Sequence, residues 1–202
     1  GPVSRSLEFS LGGKTGSGGD GKAVDVTQVG DITTYGNAAT GILAQSIGGG
    51  GGNAGMDVAA NVTKGGKLGV YLGAEGGSGG DGGKVTVSFD GNLTTEGDTA
   101  YGILAQSLGN GGGNSSYNKV AAQGAAPNAS DTAQEAQIAV GIEGAQGGVG
   151  GDVEVKADGS VSTVGNKAHG VFAQSVGGGG GNGGSAGVGL IGAPTVGVAI
   201  GG

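Results

Sequence analysis

Three times the chain sets an apolar phrase directly in front of a glycine run: GILAQSIGGGGGNAG from Gly41, GILAQSLGNGGGNSS from Gly102 and GVFAQSVGGGGGNGG from Gly170. The copies extend upstream without a gap. VDVTQVGDITTYGNAATGILAQS from Val24 aligns with VTVSFDGNLTTEGDTAYGILAQS from Val85 and VEVKADGSVSTVGNKAHGVFAQS from Val153. Gln45, Gln106 and Gln174 mark the same place in each copy, 61 and 68 residues apart. A tandem repeat of this size restricts the architecture to a stack, because each unit must bury its apolar face against the next. Each copy opens on an alternating stretch: LEFSLGG from Leu7, LGVYLGA from Leu68 and IAVGIEG from Ile138, with a further opening, VGVAIGG, at Val196. The units read 7–67, 68–137 and 138–195, with a fourth starting at 196–202, in one domain over 7–202. Gly1-Pro2 reads as the remnant of a protease cleavage site, so residues 1–6 are scar and lead-in and the chain is a piece of something longer.

Glycine supplies 56 of the 202 residues, and there is neither tryptophan nor cysteine. That composition cannot fill a thick globule, but it suits a slender core walled by small and β-branched side chains. Collagen is excluded by the lack of a strict three-residue glycine period along the chain and by only 3 prolines. Simple disorder fits poorly, because charged residues make up only 12% and hydrophobic ones 35%. VTVSF, NLTT, YGILAQS and LGVYL are short, alternating and β-branched, and no window carries a helical period. The expected fold is therefore all-β: a right-handed parallel β-helix, or β-solenoid, with Gly-rich turns and two to three coils per repeat. Asp90-Gly91 and Asp158-Gly159 belong at corners, where glycine takes positive φ. Alternation puts Ile103, Ala105 and Ser107 on one face of their strand and Leu104, Gln106 and Leu108 on the other. The pattern leaves open which face points inward. It also leaves open a second packing, in which segments such as GGSGGDGG bundle as polyglycine helices whose interior admits only glycine.

The phrase GILAQSIGGGGG, repeated in tandem, resembles one found in large Gram-negative autotransporter proteins. Those proteins carry a long repetitive passenger, resembling a right-handed parallel β-helix, and a C-terminal outer-membrane barrel. The resemblance covers nearly all of 7–202. It implies export to the bacterial surface and a stalk or adhesin role. The implied partners are a host-cell, matrix or glycan surface, or another copy of the chain. The anchoring barrel would belong to the full-length protein, since barrel strands of about 9–11 residues with aromatic girdles are missing here.

Other chemistry is thinly represented. Net charge is −7 and the basic residues are scattered, so no nucleic-acid stripe exists. No apolar run approaches the ~20 residues of a membrane helix. GGSGGD at 76–81 and GGVGGD at 147–152 match half of a calcium-binding nonapeptide, which makes Asp20, Asp81 and Asp152 weak metal candidates. The aliphatic residue required two places after Asp81 and Asp152 is Gly83 and Glu154 instead, and the first unit has Thr15 where a glycine belongs, so turn aspartates are the simpler reading. His169 is the single histidine, with Thr40 and Tyr101 at equivalent positions, and Asp25 corresponds to Thr86 and Glu154. Neither pattern builds a catalytic set, and neither enzymatic activity nor a cofactor is expected. An insertion in the second copy, within 108–137, carries Tyr117, Asn118, Lys119, Asn128, Asp131 and Glu135, the candidate partner-contact loop. An alternative function, glycan or surface binding, would use that loop or rows of threonine such as Thr33-Thr34 and Thr94-Thr95, matched by Ser162-Thr163. A β-helical polysaccharide-cleaving enzyme is a more distant reading.

Overall fold

The computed structural model describes residues 6–13, 15–63, 67–116, 118–124, 135–191 and 195–202. Among them the chain is all-β, with no helix. Four sheets form, and every strand pair is parallel. The first sheet holds β1 (Ser6–Leu11), β6 (Lys67–Leu72), β10 (Glu135–Val140) and β14 (Thr195–Ile200). The second holds β2 (Val24–Val29) and β3 (Ile32–Tyr35) beside β7 (Val85–Glu96), with β11 (Val153–Val164) on its far side. The third runs β4 (Ile42–Ile47), β8 (Ile103–Leu108), β12 (Val171–Val176), and the fourth β5 (Asp57–Thr63), β9 (Asn118–Gly124), β13 (Ala186–Ile191).

The register corrects the expected number of coils. Two or three coils per repeat would pair strands inside one repeat. Here each ladder joins equivalent residues of successive repeats, such as Val24 with Val85 and Val85 with Val153. Each repeat thus contributes one strand position to each sheet, and among the described residues no strand pairs with another of its own repeat. The third opening also moves. Ala136, not Ile138, pairs with Leu68, and Val196 pairs with Ala136. A shift of two residues leaves an alternating pattern in phase, which is why the sequence could not resolve it.

The main core lies between the second and third sheets. Val85, Val87, Phe89 and Leu93 pack against Ile42, Ala44, Ile103 and Ala105. A smaller cluster around Tyr71 and Ala139 meets Ala186 and Val188 of the fourth sheet. Inward positions of the middle repeat are fully covered by their neighbours: Val85, Val87, Leu93, Ile103 and Ala105 are each 0% exposed. Their equivalents Val24, Val26, Val153 and Val155, in the outer layers, are only half-buried.

Between these cores run the glycine segments, 12–23, 73–84 and 141–152 in one row and 48–56, 109–116 and 177–185 in another. They follow a three-residue period. In 73–84 the exposed positions are Glu75, Ser78, Asp81 and Lys84, while the rest are buried or half-buried. One amide in three donates to the same row of the next repeat, as from Gly18 to the Ser78 carbonyl (2.8 Å) and from Gly79 to that of Gln146 (2.8 Å). The next amide crosses to the opposite row. Gly49 donates to Gly19, Gly80 to Gly49, Asn110 to Gly80, Gly148 to Asn110 and Gly178 to Gly148, a zigzag running through all three repeats. A second zigzag, three residues away, links Gly16, Gly52, Gly77, Gly113, Ala145 and Gly181. Burial and hydrogen bonding thus repeat every three residues along these segments, in contrast to the period of two in the strands. The glycine segments join one another by backbone hydrogen bonds alongside the sheets.

Candidate functional site

The repeated Ala-Gln-Ser can now be read atom by atom. Ile103, Ala105 and Ser107 point inward and are buried, so Leu104, Gln106 and Leu108 face out. Ser46 sits where the third sheet meets the glycine row. Its hydroxyl donates to the Lys22 carbonyl (2.8 Å) and accepts from the Gly83 amide (2.9 Å), stitching one layer to the next. Ser107 repeats this with the Gly83 carbonyl and the Gly151 amide, both at 2.8 Å. The glutamines form an outer ladder: Gln45 Nε2 donates to Gln106 Oε1 (2.6 Å), and Gln106 Nε2 to Gln174 Oε1 (2.9 Å).

The shared T-x-G-x-x-A stretch builds the corner between the second and third sheets. Thr34, Thr95 and Thr163 donate to the carbonyls of Ala39, Ala100 and Ala168 at 2.6, 2.8 and 3.1 Å. Gly36, Gly97 and Gly165 take φ of 102°, 141° and 157° there, followed by left-handed Ala38, Thr99 and Lys167. The corner places the second threonine of each pair inward, and Thr95 is 0% exposed. Only Thr33, Thr94 and Ser162 remain for an outer row, which removes half of the surface that the threonine-row reading required. The glycines of Asp90-Gly91 and Asp158-Gly159 do take positive φ, 147° and 120°, but both pairs lie within β7 and β11 and not at corners between strands.

The metal candidates separate. Asp20 and Asp81 share a column, the Asp20 carboxylate accepting from the Asp81 amide (3.0 Å) and the Asp81 carboxylate from the Val149 amide (2.8 Å). Asp152 lies three residues further on, level with Lys84, since Val24 and Val85 donate to the carbonyls of Lys84 and Asp152. Val149, not Asp152, is therefore the counterpart of Asp81 in the third repeat. No group of three or more His, Cys, Asp or Glu suited to a metal occurs among the described residues. Similar carboxylate- or amide-to-amide links join Asn53, Asn114 and Asn182, and Asn37, Asp98 and Asn166. The outward Asp and Asn side chains serve as rungs between repeats.

Of the candidate partner loop, Tyr117, Asn128 and Asp131 lie outside the described residues. Asn118 and Lys119 begin β9, and Glu135 begins β10. His169, isolated in the sequence, stacks on Tyr101 with ring centroids 5.5 Å apart and planes 7° from parallel, and both rings touch Phe172. On the outer face of the second sheet, Glu154 contacts Lys156 (2.9 Å) and Lys84 (3.6 Å). The Lys156 hydrogen bond and charge hold the Glu154 carboxyl below its ordinary value, and Glu154 raises Lys156 in turn. An open groove of about 610 Å³ lies across β2, β7 and β11, lined by Gln28, Val29, Phe89, Asp90, Lys156 and Asp158 among others. Its polar groups differ from layer to layer and bring no acid–base pair together.

The feature that sequence reasoning missed is the outer face of the third sheet. Leu43, Leu104 and Phe172 form one column, the glutamines the next, and Ile47, Leu108 and Val176 a third. Leu43 is 57% exposed and Ile47 53%. The segments 40–48, 101–109 and 169–177 contain no Asp, Glu, Lys or Arg, a signal that could have found this face had its direction been known. Comparison of the chain with protein-family models, with curated proteins and with solved structures gives no match.

Proposed function

We propose that the chain is a structural and adhesive segment of an extracellular protein, a passenger region exported through a Gram-negative outer membrane as its repeated phrase implies. In this reading the four sheets and two glycine rows are the walls of one right-handed parallel β-solenoid, with one layer per repeat. The observation that carries it is the register: strands, glycine amides and outward Asn, Asp and Gln rungs all link positions one repeat apart. The inward polar groups that recur among the described residues, the Thr34, Thr95 and Thr163 and the Ser46 and Ser107 hydroxyls, bond to backbone carbonyls. One layer advances the stack by only about 4.8 Å. Sixty or so residues per layer therefore make a broad, stiff body with wide faces, better suited to presenting surface than to reaching far from the cell.

Deleting 85–152, the span between the equivalent Val85 and Val153, tests the reading. The shortened chain is expected to keep its sheet spectrum and a cooperative melt. X-ray scattering should show it shorter by about 4.8 Å along one axis. Failure to fold, or loss of a specific catalytic activity on deletion, would sink the structural role. Export is tested separately, by protease shaving of intact cells that express the natural full-length protein.

A further inference from the structure

We propose that Asn110 is a site of spontaneous covalent modification. The fold holds its side-chain amide for attack by the Gly111 backbone nitrogen, and the isoaspartate that results breaks the middle layer of the glycine rows. The three copies of the repeated phrase differ at one place in their glycine runs. Where the first and third have Gly49-Gly50 and Gly178-Gly179, the second has Asn110-Gly111. The Gly111 amide donates to Asn110 Oδ1 at 2.8 Å and has no other partner among the described residues. Asn110 is held from three more directions. Its own amide donates to the Gly80 carbonyl, its carbonyl accepts from Gly148, and its Nδ2 donates to the Gly48 carbonyl at 3.1 Å. A carbonyl carbon lies about 1.2 Å from its oxygen, which puts the Gly111 nitrogen within about 4 Å of Asn110 Cγ. Turning the amide about its soft last torsion brings the two toward the ~3–3.5 Å of a reacting pair. The hydrogen bond to Oδ1 also polarises the carbonyl under attack. Asn110 is exposed, so water and hydroxide reach it.

The reaction balances with water alone. Hydroxide takes the Gly111 amide proton, the nitrogen bonds to Asn110 Cγ, and the Cγ–Nδ2 bond breaks to release ammonia. The product is a five-membered cyclic imide. Water then opens it on either side of the nitrogen. Breaking the new N–Cγ bond leaves an ordinary aspartate, whereas breaking the original peptide bond leaves isoaspartate, with the main chain routed through Cβ and Cγ. Nothing is oxidised or reduced. Both products lose the Nδ2 donor to Gly48 and add a negative charge to a chain already at −7. Isoaspartate also lengthens the backbone by one carbon. That shifts every following residue of 109–116 against a row whose hydrogen bonds recur every three residues, at the residue where the zigzag passes from Gly80 to Gly148. The inference goes beyond the structural role and does not depend on export.

The chain carries its own control, because GNGG occurs at 109–112 and again at 181–184. No hydrogen bond joins the Gly183 amide to the Asn182 side chain, and a Cβ at Gly183 would overlap the Gly202 carbonyl, so that glycine is packed tightly. The 202-residue chain is incubated in mildly alkaline buffer, folded and in urea, and peptide mapping by mass spectrometry follows the amide-to-acid mass increment at both sites. In urea the two asparagines should react alike, since their neighbours are the same. In the folded chain Asn110 should keep at least its rate in urea and lead Asn182 about tenfold or more. A Cβ at Gly111 meets only the Gly179 carbonyl, at 3.5 Å, so Gly111→Ala is expected to fold and to slow position 110 about tenfold or more by shielding the nitrogen. The aged chain should melt less cooperatively, and Asn110→Gly, which restores the residue of the other two copies, should abolish that loss. Folded Asn110 reacting more slowly than in urea, or no faster than Asn182, overturns the poised geometry, and this comparison needs no variant. Aged chain rich in isoaspartate at position 110 that melts like fresh chain overturns the effect on the rows.

Discussion

The sheets and the glycine rows solve the same packing problem in different ways. Both stack one copy of a segment on the next through backbone hydrogen bonds. In the sheets the period is two, and every second side chain, such as Val85, Val87 and Ile103, fills the space behind the strand. In the rows the period is three, and two residues of each three face other backbones. The sheets gain stability by burying apolar side chains, each worth roughly 1.5–3 kcal/mol. The rows bury only small side chains, such as Ala74, Ala145 and Ser116, and rely on hydrogen bonds to two directions at once, with close dispersion contact between backbones. One consequence is opposite tolerance: a sheet position loses stability when atoms are removed, a row position when they are added.

That contrast can be broken first at its strongest point. A methyl group at Gly77 would overlap the carbonyl of Gly16, and one at Gly148 the carbonyl of Gly80. Gly77→Ala and Gly148→Ala are expected to cost about 3 kcal/mol or more, enough to abolish the cooperative melt if the chain is ordinarily stable. Ser78→Ala, one residue from Gly77 but outward, should change the melting temperature hardly at all. If all three melt alike, the rows are not tightly packed. Next comes the sheet: Leu93→Ala and Ile103→Ala should cost about 2–5 kcal/mol in denaturant titrations. The junction between zones follows. Ser107→Ala leaves the Gly83 carbonyl and Gly151 amide short of a partner, for an expected loss of about 1–3 kcal/mol. A loss well below that would mean that the seam is held by the flanking zones alone.

The smallest expected effect belongs to the exposed cluster of Lys84, Glu154 and Lys156. Because the Glu154 carboxyl is held low in the folded chain, its contribution is present above the unfolded value and fades as pH falls through the folded one. Lys156 is raised, so its contribution is present below the unfolded value and is lost as pH rises through the folded one. Melting followed across pH should therefore show a slight loss at both ends that Glu154→Gln removes. Salt should flatten the same curve, since exposed pairs of this kind are readily screened.

The interior of the smaller core differs from the larger in one further respect. Gln137 is 1% exposed, and its amide nitrogen and oxygen have no hydrogen-bond partner among the described residues. It lies between Gly69 and Gly197 in the first sheet, where the missing side chains leave it room. Nothing comparable occurs among the described residues of the larger core, where the buried Thr95 and Ser107 hydroxyls each find a carbonyl.

Much of the local structure was legible in the residues. The repeat, the short strands, the positive φ of Gly91 and Gly159 and the alternation of Ile103, Ala105 and Ser107 all follow from nearest-neighbour chemistry: β-branching, polarity and the φ that glycine permits. The sequence by itself determined those periods. Only the tertiary structure decided the phase. A period of two reads the same when Ala136 replaces Ile138 as the opening residue. Inversion is equally silent, so alternation could not say that Gln106 faces out and Ser107 in. It also could not tell a glycine run that turns a corner from one that packs in a row. Those choices belong to hydrogen-bond partners 61 or 68 residues away, Gln45 with Gln106 and Gln106 with Gln174 among them, and a local pattern carries no record of its distant partner.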